Sequence, residues 1–182
     1  ELGERALAWI VEERALREAL LPAIHVANID FITGATFASL AWSATEGTLT
    51  LADERALSGR LVVGADGLNS WVRRAAGIVA EPKSYGQQGI VANFECELAH
   101  HGLARQWFRA DSGVLAWLPL PGRRISIVWS SPDAQAAELL ALPAEAFTAR
   151  VMDAGERVLG EFKMITPRAA FPLQSLRLPT SI

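Results

Sequence analysis

The chain has 182 residues, of which 51% are hydrophobic and 20% charged, with a net charge of −3, room for one large globular domain or one and a half small ones. That much apolar surface excludes a disordered chain, and the slight acidic excess argues against a nucleic-acid binder. The longest uncharged apolar stretches, such as Val114 to Pro121, are far too short to span a bilayer, and no targeting peptide is read at the start.

The first segment carries Leu7, Val11, Leu16 and Leu20 at near-helical spacing with charged residues between them, which predicts a helix ending near Pro22. Ile29–Ile32 then predicts a short strand. Ala38–Ser43 and Thr48–Ala52 flank Glu46-Gly47 and predict a hairpin, with Leu49 and Leu51 on its buried face. Leu61-Val62-Val63 is apolar without alternation, as in a strand buried on both faces of a parallel sheet. It runs into the loop Gly64-Ala65-Asp66-Gly67. Ser70 is placed to cap a helix from Trp71 to about Ala76, with Gly77 closing it.

From about Val79 the pattern changes. Gln88–Leu98, Gln106–Phe108, Val114–Leu118 and Ile125–Ser130 predict four strands of an antiparallel sheet, with a turn at Pro121-Gly122. Ala134–Leu142 and Ala144–Leu159 predict helices, and an irregular tail is expected from Phe171. Cys96 is the single cysteine, so no internal disulfide forms, and its apolar setting predicts a buried, inert thiol. His25, His100 and His101 lack metal-ligand spacing, and His100-His101 before a glycine reads as a loop. Ser39, Ser70 and Ser126 lack a nucleophile-elbow context, which argues against a hydrolase.

The run Leu61 to Arg73 carries the most chemistry. Ligands of α/β sheets bind beyond the carboxyl ends of strands, where Asp66 would sit. An ionised carboxylate offers acceptors for ribose hydroxyls. Gly64 and Gly67 would allow close approach, and the N-terminus of the next helix would offer free N–H groups to a phosphate. The competing reading of Asp66-Gly67 is a simple turn.

The pattern G-A-D-G-x-x-S-x-V-R after an apolar strand resembles the second flavin fingerprint of the class A flavoprotein monooxygenases. Trp9-Ile10-Val11-Glu12 with Leu16 and Leu20 is similar to the family's early helix. Arg105-Gln106-Trp107-Phe108, Leu118-Pro119-Leu120 and Ile127-Val128-Trp129-Ser130 resemble the substrate-domain strands of its ubiquinone-biosynthesis hydroxylases. Phe147, Leu159-Gly160 and Phe171-Pro172-Leu173 continue in that order.

The resemblance implies an α/β (α+β) fold. Residues 1–78 would form part of a Rossmann-like FAD-binding domain, 79–176 a substrate domain with an antiparallel sheet flanked by helices, and 177–182 the start of a return to the FAD domain. It implies FAD and NAD(P)H as cofactors and a small aromatic substrate, a polyprenylated phenol, hydroxylated with dioxygen. Its implied setting is cytoplasmic, with contact at the inner-membrane periphery or with a biosynthetic complex. Asp66, with Gly64, Ala65 and Gly67, would hold the FAD ribose, and Arg73 would tie the helix to the loop. The family's flavin-facing helix position, often Arg, Asn or Gln, falls on Glu13, where a carboxylate would repel a pyrophosphate. Trp107, Trp117, Leu118 and Trp129 are candidates to line a ring-binding pocket, with ordinary sheet packing as the alternative for the tryptophans. The family's G-x-G-x-x-G loop is expected before Glu1 and its Gly-Asp motif after Ile182. A chain without both is expected to hold FAD weakly. Two rival functions are a flavoprotein acting on another aromatic or isoprenoid substrate, and a non-catalytic interaction module derived from one.

Overall fold

The computed structural model describes residues 8–110 and 112–179. The chain divides into two compact units: the residues up to Ala19 with Ser84–Leu173, and Leu20–Lys83 with the residues from Gln174 onward.

Helix α1 spans Glu13–Val26, later than the sequence predicts; Leu7 of the predicted stripe lies outside the described residues. Pro22 is inside the helix rather than at its end. The helix is stopped instead just after Val26, by Asn28, whose φ is 52°. The Ile29 N–H bonds back to the Ile24 carbonyl at 3.1 Å, a six-to-one closure of the kind that ends helices at a left-handed residue. Asn tolerates that conformation, so it stops the helix where Pro22 does not. No strand forms over Ile29–Ile32; both termini of that run are exposed.

The second unit holds a three-stranded antiparallel sheet of β1 (Phe37–Trp42), β2 (Gly47–Leu51) and β3 (Ala56–Gly59). The predicted β1–β2 hairpin is present. Ser43 shapes its turn by accepting the Thr45 and Glu46 N–H groups, a local bond that stabilises turns. Strand β3 was not anticipated. It follows a turn in which Glu54 takes φ 67° and Asp53 pairs with Arg55 at 2.8 Å.

The predicted buried strand at Leu61–Val63 is absent. The segment pairs with no strand among the described residues, and Leu61 and Val63 are 77% and 71% exposed. An extended segment with no ladder partner is not a strand, whatever its apolar content. Helix α2, Trp71–Ala75, does follow. Gly77 closes it with φ 70°, and the Ile78 N–H bonds the Arg73 carbonyl.

The first unit is built on a longer antiparallel sheet in the order β5 (Arg105–Arg109), β6 (Gly113–Leu120), β7 (Arg124–Pro132), β4 (Lys83–Cys96), β8 (Phe162–Met164). Strand β9 (Ala169–Ser175) also pairs with β4, where the sequence predicts an irregular tail. Strand β7 alternates cleanly, with Ile125, Ile127, Trp129 and Ser131 buried, the period-two pattern of a sheet covered on one face.

The cover is α3 (Asp133–Ala141) and α4 (Ala144–Ala154). Helix α4 buries Phe147, Thr148, Val151 and Met152, one stripe at helical spacing. It ends at Ala154, five residues before the predicted Leu159, with Gly155 as its C-cap. The backbone there passes so close to Trp117 that a Cβ on Gly155 would lie 2.0 Å from the indole. Arg168 donates to the Leu139 and Leu142 carbonyls at 3.0 and 2.8 Å, and its guanidinium sits 4.8 Å from the centre of the Phe147 ring. It thereby satisfies carbonyls left open at the end of α3 while packing on α4. Beneath both helices Phe94 meets Phe147 and Phe162 with ring centres 6.4 and 5.6 Å apart.

Candidate flavin loop and sheet face

Asp66 stands on an exposed loop, but its carboxylate is already engaged. Oδ1 accepts the Ser70 hydroxyl at 2.5 Å, and Oδ2 accepts the backbone N–H groups of Trp71 and Val72 at 2.6 and 3.2 Å. Ser70, itself buried, accepts the Arg73 N–H at 2.9 Å. The first three N–H groups of α2 are therefore taken by the protein's own loop, which corrects the expectation of a free helix terminus open to phosphate. The physical cause is the four-residue spacing between Asp66 and Ser70, which lets one carboxylate cap the helix in place of an external anion. The Ser70 hydroxyl first, and then the backbone N–H groups, hold the Asp66 carboxyl below its ordinary value of 3.8.

The two glycines have different reasons. A Cβ on Gly64 would lie 3.0 Å from the Val72 side chain, so its absence lets the loop approach α2 closely. Gly67 takes φ 80° with open space around its missing Cβ, and there glycine serves the turn itself. Ala65 and Gly67 are exposed. The Gly67 and Leu68 N–H groups have no acceptor among the described residues.

Arg73 does tie helix to loop, donating to the Leu68 carbonyl at 2.7 Å. Its Nε–H is buried without a partner among the described residues. Arg73 also lines a cavity of about 400 Å³ shared with Trp42, Leu61, Val62, Gly64 and Leu176. Glu13 lies exposed in the first turn of α1, 3.5 Å from Arg17.

The tryptophans face the core. Trp117 and Trp129 are buried beneath the helices, and Trp107 packs against the same cluster with its ring centre 4.7 Å from that of Trp117. Trp129 donates to the Ser112 carbonyl at 3.0 Å. Sheet packing, the alternative given for these three residues, is where they are found, because cross-strand register stacks them with Leu115, Ile127 and Ile90 on the helix side. Leu118 differs. By alternation it lies on the opposite face, half-buried, in register with Ser126 and, across β7, with Asn93. Sequence reading picked out the large aromatics and missed Asn93. Its signal was a lone amide in an apolar central strand.

Two other residues are structural. Cys96 is buried, and desolvation pushes its thiol up to about 11. His100 sits in a turn, accepting the Gly102 N–H at Nδ1 with Nε2 3.0 Å from the Leu120 carbonyl. No group of three or more His, Cys, Asp or Glu that could hold a metal occurs among the described residues. No helix among them is long and apolar enough to cross a membrane.

Comparison with known proteins bears on this geometry. No family model matches the chain. It is 36% identical over 168 residues to the ubiquinone hydroxylase UbiL of Rhodospirillum rubrum, a match covering 92% of this chain and 39% of the relative. The rat mitochondrial ubiquinone biosynthesis monooxygenase COQ6 is 42% identical over 110 residues, 60% of this chain and 23% of that protein. Over nearly its whole length the chain is similar to part of a ubiquinone hydroxylase. Its fold matches that of the flavin-dependent halogenase CmlS with a TM-score of 0.70, at 15% identity, over 92% of this chain and 32% of the other. Pseudomonas aeruginosa PqsL, solved in complex with 2-aminobenzoylacetate, matches with a TM-score of 0.65 at 25% identity, over 84% of this chain and 46% of the other. The chain thus spans about two-fifths of the length of the first curated relative.

Proposed function

We propose that the protein hydroxylates an aromatic ring with FAD and NAD(P)H, and that its substrate is a polyprenylated phenol of ubiquinone biosynthesis. The observation that carries this reading is the loop from Gly64 to Ser70, capped onto α2 through Asp66 and Ser70, in a chain 36% identical to a ubiquinone hydroxylase. The residues present fit a dinucleotide. A buried Arg73 N–H without an acceptor borders the glycine-walled cavity, and the Gly67 and Leu68 N–H groups on the exposed loop are unmatched. Each is a donor suited to an acceptor-rich group.

In this proposal residues 1–78 belong to the FAD-binding domain, 79–176 to the substrate domain, and 177–182 return to the first; Thr180, Ser181 and Ile182 lie outside the described residues. Asp66 fixes the loop by capping α2. Its Oδ1, which accepts one hydrogen bond, keeps capacity for a ribose hydroxyl. Gly64, Ala65 and Gly67 keep the loop low, and Arg73 holds it to the helix. Glu13, a carboxylate at the start of α1, contributes through backbone position rather than charge. The bound flavin would supply the oxygen-transfer chemistry; the chain's task is to orient the ring and exclude water. Contact with a membrane surface, where such a substrate resides, belongs to the same proposal.

The test is purification of the longest product of the gene, followed by its flavin content and its NAD(P)H consumption with and without a phenol. The reading expects bound FAD and consumption stimulated by the phenol. A colourless protein that consumes no NAD(P)H would leave an interaction module instead. Oxidation of soluble amino-substituted aromatics in preference to phenols would move the substrate toward the class bound by PqsL.

A further inference from the structure

The sheet of the first unit has two unlike faces. One is sealed by α3 and α4. The other carries half-buried Val91, Leu118 and Val128 and the buried Ala116, brought side by side by register. Near its middle stands Asn93 of β4. Its side-chain Nδ2 donates to Glu12 Oε1 at 3.3 Å, across 81 residues of sequence. Both residues are half-buried.

We propose that Glu12 and Asn93 form the polar anchor of this face and receive the hydroxyl of a phenolic ring laid against Val91, Leu118 and Val128. The inference rests on the hydroxylase reading above and deepens it by assigning the residues that orient the ring.

The hydrogen-bond inventory supports it. An amide has two N–H donors and an acceptor oxygen, and a carboxylate has two acceptor oxygens. The Glu12–Asn93 bond uses one donor and one acceptor. The second Asn93 N–H, the Asn93 Oδ1 and the other Glu12 oxygen have no partner among the described residues. A phenol O–H is both donor and acceptor. It can donate to the Glu12 carboxylate while accepting the second Asn93 N–H. A proton held toward a carboxylate leaves the ring richer in electrons, which favours attack by an electrophilic oxygen. An apolar wall with a few convergent polar groups is the usual make-up of a small-molecule site.

The dimensions agree. Asn93 and Leu118 are in register two strands apart, which is roughly 10 Å at ordinary strand spacing and spans one substituted ring lying flat. A methoxy substituent would rest on the Val91–Val128–Ala116 row. Ser126, between Asn93 and Leu118 in register, adds one further hydroxyl to the same row as the anchor.

The experiment is equilibrium dialysis of 2-methoxyphenol and of methoxybenzene, which lacks the hydroxyl, against the full-length gene product. Variants Asn93→Leu, Asn93→Ser, Glu12→Ala and Glu12→Gln are compared, with thermal unfolding of each as a folding control. The anchor predicts that Asn93→Leu and Glu12→Ala weaken 2-methoxyphenol about tenfold. Methoxybenzene should be unchanged, and Glu12→Gln should recover part of the loss. Equal weakening of both probes would show a tie between segments and overturn the proposal, as would a 2-methoxyphenol affinity indifferent to all four changes. Asn93→Ser keeps the comparison available if the leucine variant does not fold. Phenol-stimulated NAD(P)H consumption, measured separately, tells failure of the anchor from failure of the hydroxylase reading.

Discussion

The two units differ in how far each satisfies itself. In the first, a sheet and two helices enclose a core of fully buried side chains, including Phe94, Ile127, Phe147 and Val151. In the second, Leu51 is the one buried apolar side chain among the described residues, while Leu61 and Val63 face solvent. The difference teaches where each unit draws its order from. The first is held by burial, which is non-directional and large. The second is held by local hydrogen bonds, which contribute about 1 kcal/mol apiece, and it leaves donors and apolar surface available to other groups.

The sharpest way to break the comparison is to open the first core. Phe94→Ala removes a ring packed against Phe147 and Phe162, and a loss of about 3–5 kcal/mol is expected from urea unfolding. A loss under 1 kcal/mol would mean that this core is not what holds the sheet. Gly155→Ala tests the same core by overfilling. Its Cβ has no room beside Trp117, so a loss of about 1–3 kcal/mol should appear in the same assay. In the second unit, Ser70→Ala deletes the cap on the Arg73 N–H at a cost of about 1 kcal/mol. The effect should concentrate in hydrogen exchange of residues 66–74 and leave β4–β7 untouched.

Acid should act on the second unit in the same local way. The Asp66 carboxyl titrates below its ordinary value of 3.8 in the folded chain. Its contribution is therefore complete above about pH 4 and fades as pH falls through the lowered folded value. Exchange of the Trp71 and Val72 amides, followed from pH 5 downward, should rise in that window. A rise already complete at pH 5 would contradict the cap. The smallest effects are expected at the exposed segment: Leu61→Asn and Val63→Thr should each stay within about 0.5 kcal/mol in this chain. A large loss at either would show that something covers the segment.

Much of the first unit was legible in the sequence because its strands alternate. Ile125, Ile127 and Trp129 repeat with period two, and Pro121-Gly122 marks the turn, so β6, β7 and the helices after them could be placed. Strand β9 was not legible because Phe171-Pro172-Leu173 reads as irregular; its order comes from pairing with β4, a long-range contact. Leu61–Val63 failed for the opposite reason: its composition announces a buried strand, but burial needs neighbours that composition does not supply. At the site, the Gly-Ala-Asp-Gly run and the Ser70 cap were visible, as was the Arg73 tie. That Asp66 spends its carboxylate on α2 was not, because hydrogen-bond partners follow from the loop's path rather than from residue type. The tryptophans drew attention by size, and register then turned them inward, leaving the small polar residue Asn93 on the opposite face.

We propose that the Gly64–Ser70 loop is completed by a flavin while the sheet of the first unit is complete without one. Hydrogen exchange of the full-length gene product, loaded with FAD and then stripped of it, tests this directly. The account predicts strong protection of β4, β6 and β7 in both forms, and protection of residues 64–73 that rises when FAD is bound. Equal exchange of residues 64–73 in the two forms, with flavin content confirmed by absorbance, would contradict it.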